Sequence, residues 1–247
     1  MGGTGRDGAG GGRLGSALSG IAVAVGCVLF LGGFVWGALV YQPYTVPTDS
    51  MVPTVDVGDR VLAERMGGED VRRGDVVIFR DKDWGNLPMI KRVVGVGGDE
   101  VACCGDGGRL TVNGRALDEP YLRAEGRAAE DFTAKVPEGH LFLMGDDRRT
   151  SLDSRSHLEE TDNGAVPRSA VEARVDAIAW PLDGGMVGRP DAFAELPGGV
   201  SRPGPVKLMV ATVAGGAGLI LGGAVYGPVA AWIGRARRPK PEAAGVV

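Results

Sequence analysis

Apolar positions fall into two long uninterrupted runs near the ends of the chain and a series of short segments between them. The first run covers residues 21–40 and the second residues 208–233, each without a charged side chain and long enough to cross a bilayer as a helix. A buried core helix of that length normally keeps a polar stripe, and neither run has one. A cleaved export signal is the other reading of the first run. That run is longer than an h-region, and Leu39, Val40 and Tyr41 follow it in place of a small-x-small site, so an uncleaved anchor is expected.

The middle of the chain is patterned differently. Val76-Val77-Ile78-Phe79 follows the turn signal Arg73-Gly74-Asp75, and the apolar run from Met89 to Val96 stops at Gly97-Gly98-Asp99. Leu110-Thr111-Val112 and Arg115-Ala116-Leu117 flank Asn113-Gly114, the preferred pair for a two-residue hairpin turn. Leu141-Phe142-Leu143-Met144 ends at Gly145-Asp146, and the run from Ala177 to Trp180 ends at Pro181. Helical periodicity is weak apart from one turn near Ser169 to Ala173. The expectation is a mainly β, antiparallel, partly closed domain over residues 41–183, set between two transmembrane helices. Residues 184–207, rich in Gly and Pro, read as a tether to the second helix. Residues 1–20 read as a Gly-rich tail, disordered at its start, and 234–247 as a basic tail.

Charge gives these segments an orientation. Arg6 and Arg13 face only Asp7 in the first tail, and Arg235, Arg237, Arg238 and Lys240 face only Glu242 in the last. Both tails are therefore expected in the cytoplasm of a two-span plasma-membrane protein, with the β domain outside. The chain as a whole carries a formal charge of −4, so it lacks the basic footprint of a nucleic-acid binder. Of three cysteines, Cys27 lies in the first span as a small apolar filler. Cys103 and Cys104 are adjacent, and free or separately capped thiols are expected over a vicinal disulfide. No Cys/His spacing suggests a metal, and no cofactor is expected.

The chemistry is concentrated beyond the first span, in Thr48-Asp49-Ser50-Met51-Val52-Pro53-Thr54. Pro47 and Pro53 keep this segment out of a helix. A serine needs a base within hydrogen-bond reach, and neither His140 nor His157 sits in a triad-like setting. Lys91 is the alternative. In a strand it shares a face with Met89 and Val93, while Arg92 faces oppositely. Burial on an apolar face lowers a lysine pKa, and a base working near neutrality needs a shift of about two to three units. On periodicity alone, a lysine that snorkels its head group to solvent is the stronger reading.

The serine segment, Arg73-Gly74-Asp75-Val76-Val77-Ile78-Phe79, Ile90-Lys91-Arg92-Val93-Val94-Gly95 and the block from Met144 to Arg155 together resemble bacterial signal peptidase I, in that order. The resemblance covers most of the middle of the chain. It implies a membrane-bound serine endopeptidase in which Ser50 is the nucleophile of an acyl-enzyme and Lys91 its general base. It implies an oxyanion hole from the Thr48 hydroxyl and the Ser50 N–H. It also implies that Ser151 orients the lysine, and that Asp153 and Arg155 form a supporting pair. The implied partners are preprotein signal peptides with small residues before the cleavage site, bound as an added strand. Membrane lipid and proximity to the secretion translocon are implied as well. The chain departs from the family pattern at Asp49, Met89, Gly97 and Asp147, and in an acidic stretch over 156–165. Three rival readings are a self-cleaving Ser-Lys protease, a penicillin-interacting Ser-Lys enzyme, for which no S-x-x-K motif is present, and an inactive membrane paralogue that binds without cleaving. The two spans, the lack of a DNA-binding segment and the retention of both Ser50 and Lys91 favour the peptidase.

Overall fold

The computed structural model describes residues 10–105, 108–123 and 130–236, so the expected disorder of the first residues and all but the start of the basic tail lie outside it. Two units are present, one helical and one β, with the β unit spanning Leu39–Val206. In the helical unit, α1 (Gly10–Val40) and α3 (Val206–Ala236) each contain a stretch long and apolar enough to cross a membrane. Helix α1 starts well before the expected span, because once a helix is nucleated each further residue adds a hydrogen bond for little cost. The helices meet where both are small: a side chain at Gly216 would collide with the backbone of Phe30 and Gly26.

The β unit is mainly antiparallel, as expected. Its larger sheet has seven strands in the order β1 (Tyr41–Thr45), β2 (Arg60–Arg65), β11 (Val171–Trp180), β3 (Val76–Phe79), β4 (Met89–Val96), β9 (His140–Met144) and β10 (Val166–Pro167). A smaller sheet joins β7 (Arg115–Ala116), β6 (Arg109–Val112), β5 (Glu100–Gly105) and β8 (Phe132–Lys135). Register shifts in β11 and β4 mark bulges, which increase local twist and curl the large sheet. The β6–β7 hairpin turns at Asn113 (φ 54°) and Gly114 (φ 76°), the pair of positive φ angles a type I′ turn requires. The turn expected near Ser169 is a short 3₁₀ segment, Arg168–Ala170, and leads directly into β11.

Strand β4 is central, and both its faces are covered. Met89 and Val93 pack with Val77, Phe79, Leu141 and Leu143, whereas Ile90 packs on the other side with Met51, Val55 and Val76. Two expectations are corrected here. Cys103 and Cys104 are joined as a vicinal disulfide rather than held as separate thiols. Their strand β5 shifts register against β6 between Ala102 and Gly105, so the two neighbours are not held to strict side-to-side alternation. The segment read as a tether belongs to the β unit: Phe193, in the short helix α2 (Asp191–Ala194), is fully buried, and Val187 and Leu196 are nearly so. Their irregular spacing among glycines and prolines gives no periodic signal.

Candidate active site

Three segments meet at Ser50. The first is the β1–β2 connection, closed at its neck by Val46 N–H to the Asp59 carbonyl (2.9 Å) and Gly58 N–H to the Val46 carbonyl (2.8 Å). Val46, Met51 and Val55 anchor it in the core, so the serine stands on a fixed loop. Pro53 removes a donor and favours the turn that follows, where Val55 N–H bonds the Met51 carbonyl (3.0 Å).

The second segment is β4, which brings in Lys91. Its side chain is only 3% exposed, and Nζ donates to Ser50 Oγ at 2.9 Å. The snorkelling lysine favoured by periodicity is therefore not what forms. Alternation placed the lysine on the face of Met89 and Val93 but could not say that a further layer covers that face. Burial lowers the Lys91 pKa to about 8, with Asp153 and Asp146 opposing the shift and Arg155 assisting it. A lysine so placed is in part neutral near physiological pH and can accept the serine proton.

The third segment runs from β9 through residues 145–155. Asp147 N–H donates to the Ser50 carbonyl at 3.0 Å. Gly145 fits between two groups of the site, since a Cβ there would meet Ser151 Oγ and the Ser50 carbonyl. Asp153 is fully buried and accepts from Gly145 N–H (3.0 Å) and from Arg155 Nε and Nη2 (2.8 Å each). Burial alone would raise the Asp153 carboxyl, but the Arg155 guanidinium and the Gly145 N–H hold it below the usual carboxylate range. Thr48 Oγ1 lies 3.3 Å from Ser50 Oγ. Ser151 Oγ is buried beside Asp153 without reaching hydrogen-bond geometry, and it makes no bond to Lys91.

Behind this layer lies a pair to which no sequence motif assigned a role. Arg92 and Asp146 form a two-armed ion pair (2.8 and 2.7 Å), with both side chains at most 1% exposed. Arg92 also donates to the Gly74 carbonyl (2.7 Å) and lies over the Tyr121 ring (4.6 Å to its centroid). The available signal was the alternation itself: if Lys91 faces the serine, Arg92 must be satisfied on the opposite side.

The profile of the family described as signal peptidase, peptidase S26, matches residues 17–180 and so takes in all three segments. The chain belongs to that family. It is 37% identical over 158 residues to signal peptidase I of Bacillus licheniformis, covering 59% of this chain and 80% of the relative. To signal peptidase I S of Bacillus subtilis (strain 168) it is 36% identical over 152 residues, covering 56% and 76%. To a probable signal peptidase I of Mycobacterium leprae (strain TN) it is 30% identical over 207 residues, covering 60% and 71%. This family member is a hydrolase that processes signal peptides.

Proposed function

We propose that this peptidase removes N-terminal signal peptides from secreted preproteins by acyl-enzyme chemistry on a Ser50–Lys91 dyad. Lys91 takes the Ser50 proton as Oγ attacks the scissile carbonyl, delivers it to the leaving amine, and then activates the deacylating water. The observation that carries this reading is the 2.9 Å hydrogen bond from Lys91 Nζ to Ser50 Oγ, made by a lysine whose pKa burial lowers to about 8. Thr48 Oγ1 and the Ser50 N–H are the oxyanion donors, and Ser151, whose buried hydroxyl lies beside Asp153 and does not bond Lys91, would have to turn toward the amine to steady it. Asp153 and Arg155 brace the loop from behind. The test is cleavage of a preprotein with small residues before its processing site. Ser50→Ala and Lys91→Ala are each expected to abolish it, with no further loss in the double variant because the two act as a unit. Substantial turnover by either single variant would remove the dyad.

Thr48 separates transition-state from ground-state binding. Its hydroxyl meets full negative charge only as the tetrahedral intermediate forms, and losing one such donor costs about 10²–10³ in turnover. Thr48→Val is expected to show that loss in kcat with little change in KM, while Thr48→Ser retains most activity. A Thr48→Val enzyme as active as the wild type would assign Thr48 only a backbone role.

On this reading both termini lie in the cytoplasm, with the β unit on the outer face among lipid headgroups and near the translocon exit, where substrates emerge. A reporter fused after Val247 is expected to register as cytoplasmic, and one inserted at the exposed Gly185 as external. An external C-terminus would mean that α3 does not span.

A further inference from the structure

The family match stops at residue 180, yet the chain continues across the β unit as a strap from Met186 to Val206. Phe193 fills the core beside Gly74, and the polar groups of the strap are held by named partners. The Arg189 guanidinium reaches two carboxylates at once, with Nε 3.1 Å from Asp75 Oδ1 and Nη2 2.7 Å from Asp176 Oδ1. Asp75 is 1% exposed and Asp176 fully buried. Ser201 Oγ accepts from Arg189 Nε (2.8 Å) and itself donates to Asp75. Gly204 N–H (3.1 Å) and Tyr41 Oη (3.1 Å) donate to Asp176 Oδ2. Among the described residues one other guanidinium comes near, and only to Asp176: Arg174 lies 3.6 Å from it, but its Nη2 is engaged by Glu64 at 2.6 Å.

Asp75 connects this network to the catalytic strand. Its carbonyl accepts from Val93 N–H (2.8 Å), Gly74 N–H donates to the Val93 carbonyl (2.8 Å), and the Gly74 carbonyl holds Arg92 Nη1. Val93 and Arg92 are the residues that follow Lys91 in β4. We infer that Arg189 is a positioning residue for peptide hydrolysis: the strap clamps the turn at Gly74-Asp75 against β4 and so fixes Lys91 at the serine. This rests on Lys91 being the general base. Without Arg189, Asp75 keeps no ion-pair partner among the described residues and Asp176 keeps only Arg174, already engaged by Glu64; buried acids in that state draw in water or move the backbone that carries them. Opening the turn hydrates the end of β4, and a better hydrated lysine holds its proton more tightly.

The experiment uses the full-length enzyme in detergent, with Arg189→Met and the milder Arg189→Lys, assayed below their unfolding temperatures on a preprotein. Lysine keeps the charge but can serve one carboxylate at a time. Arg189→Met is expected to lose about 10- to 10²-fold in kcat with KM nearly unchanged. Its pH–rate midpoint should move upward, and Arg189→Lys should lie between it and the wild type. A melting temperature that falls while kcat and the pH midpoint of the folded variants stay at wild-type values would make the strap a structural brace only, and would overturn the inference. If Arg189→Met fails to fold, Arg189→Lys and Ser201→Ala decide by the same midpoint. Lys91→Ala, run alongside, separates this outcome from failure of the dyad itself: an active Lys91→Ala enzyme sinks the dyad, whereas an inactive one with unmoved Arg189 variants sinks the clamp alone.

Discussion

Lys91→Met is expected to give a folded protein that is more stable than the wild type near neutrality and unable to process a preprotein. Burial lowers the lysine from 10.5 to about 8, so in this pH range folding must bury a charge that the unfolded chain keeps in water. The sign follows from proton counting. Between the two pKa values the unfolded state binds more protons than the native state, so wild-type stability rises with pH across that window. Below about pH 8 the cost is fully present, at about 3 kcal/mol for a shift of this size. Methionine fills similar space without charge and removes the cost. Denaturant unfolding of the β unit at pH 7 should therefore show Lys91→Met ahead by about 2–3 kcal/mol, with the gap closing as pH approaches the unfolded lysine value. Activity runs the other way. Turnover of the wild type should rise with pH through a midpoint near 8 as Lys91 loses its proton, and Lys91→Met should show none at any pH. Equal stability of the two proteins at neutral pH would mean that the ammonium is solvated in the native state.

Part of this site was legible in the sequence and part was not. The apolar runs near both ends, the Asn113-Gly114 hairpin and strands β3 and β4 follow from local pattern, because turn chemistry and side-chain period are local properties. Alternation also put Lys91 and Arg92 on opposite faces. Depth of burial is not local: it depends on the 145–155 segment covering one face and on Arg92 and Asp146, 54 residues apart, being satisfied on the other. The lysine that periodicity sends to solvent is therefore buried. Strands β2, β5 and β8 carry charged or small residues at many positions, and packing from other elements makes them strands despite a weak pattern. The strap is the extreme case. Its anchors Val187, Arg189, Phe193 and Leu196 follow no period, and Arg189 finds one partner 114 residues away.

Gly145→Ala is expected to be the most damaging single-methyl change in the site. Gly145 carries three functions within one residue: its N–H binds Asp153, its carbonyl accepts from Arg148 Nε (2.9 Å), and its Cα faces the loop that carries Ser50. A methyl there meets Ser151 Oγ and Cβ on one side and the Ser50 carbonyl on the other. Rotation can swing Ser151 Oγ aside but leaves its Cβ in place, and the Ser50 carbonyl is held by Asp147 N–H and by a loop anchored on Met51 and Val55. The strain must therefore push Ser50 away from Lys91 or spread the 145–151 segment. Overpacking of this kind costs about 1–3 kcal/mol in stability, and, if Ser50 is the nucleophile as proposed, its displacement by near 1 Å costs about 10² in rate. Gly145→Ala should accordingly lower kcat by at least about 10²-fold in an enzyme that still folds. Adding Ser151→Gly distinguishes which neighbour matters. It removes the Ser151 clash and leaves the Ser50 one; because Ser151→Gly by itself removes a group of the site, the readout is stability, and the double variant should stay less stable than Ser151→Gly alone by about 1 kcal/mol or more. Equal stability of the double variant and Ser151→Gly in denaturant unfolding would place the conflict at Ser151 and leave the Ser50 carbonyl unhindered.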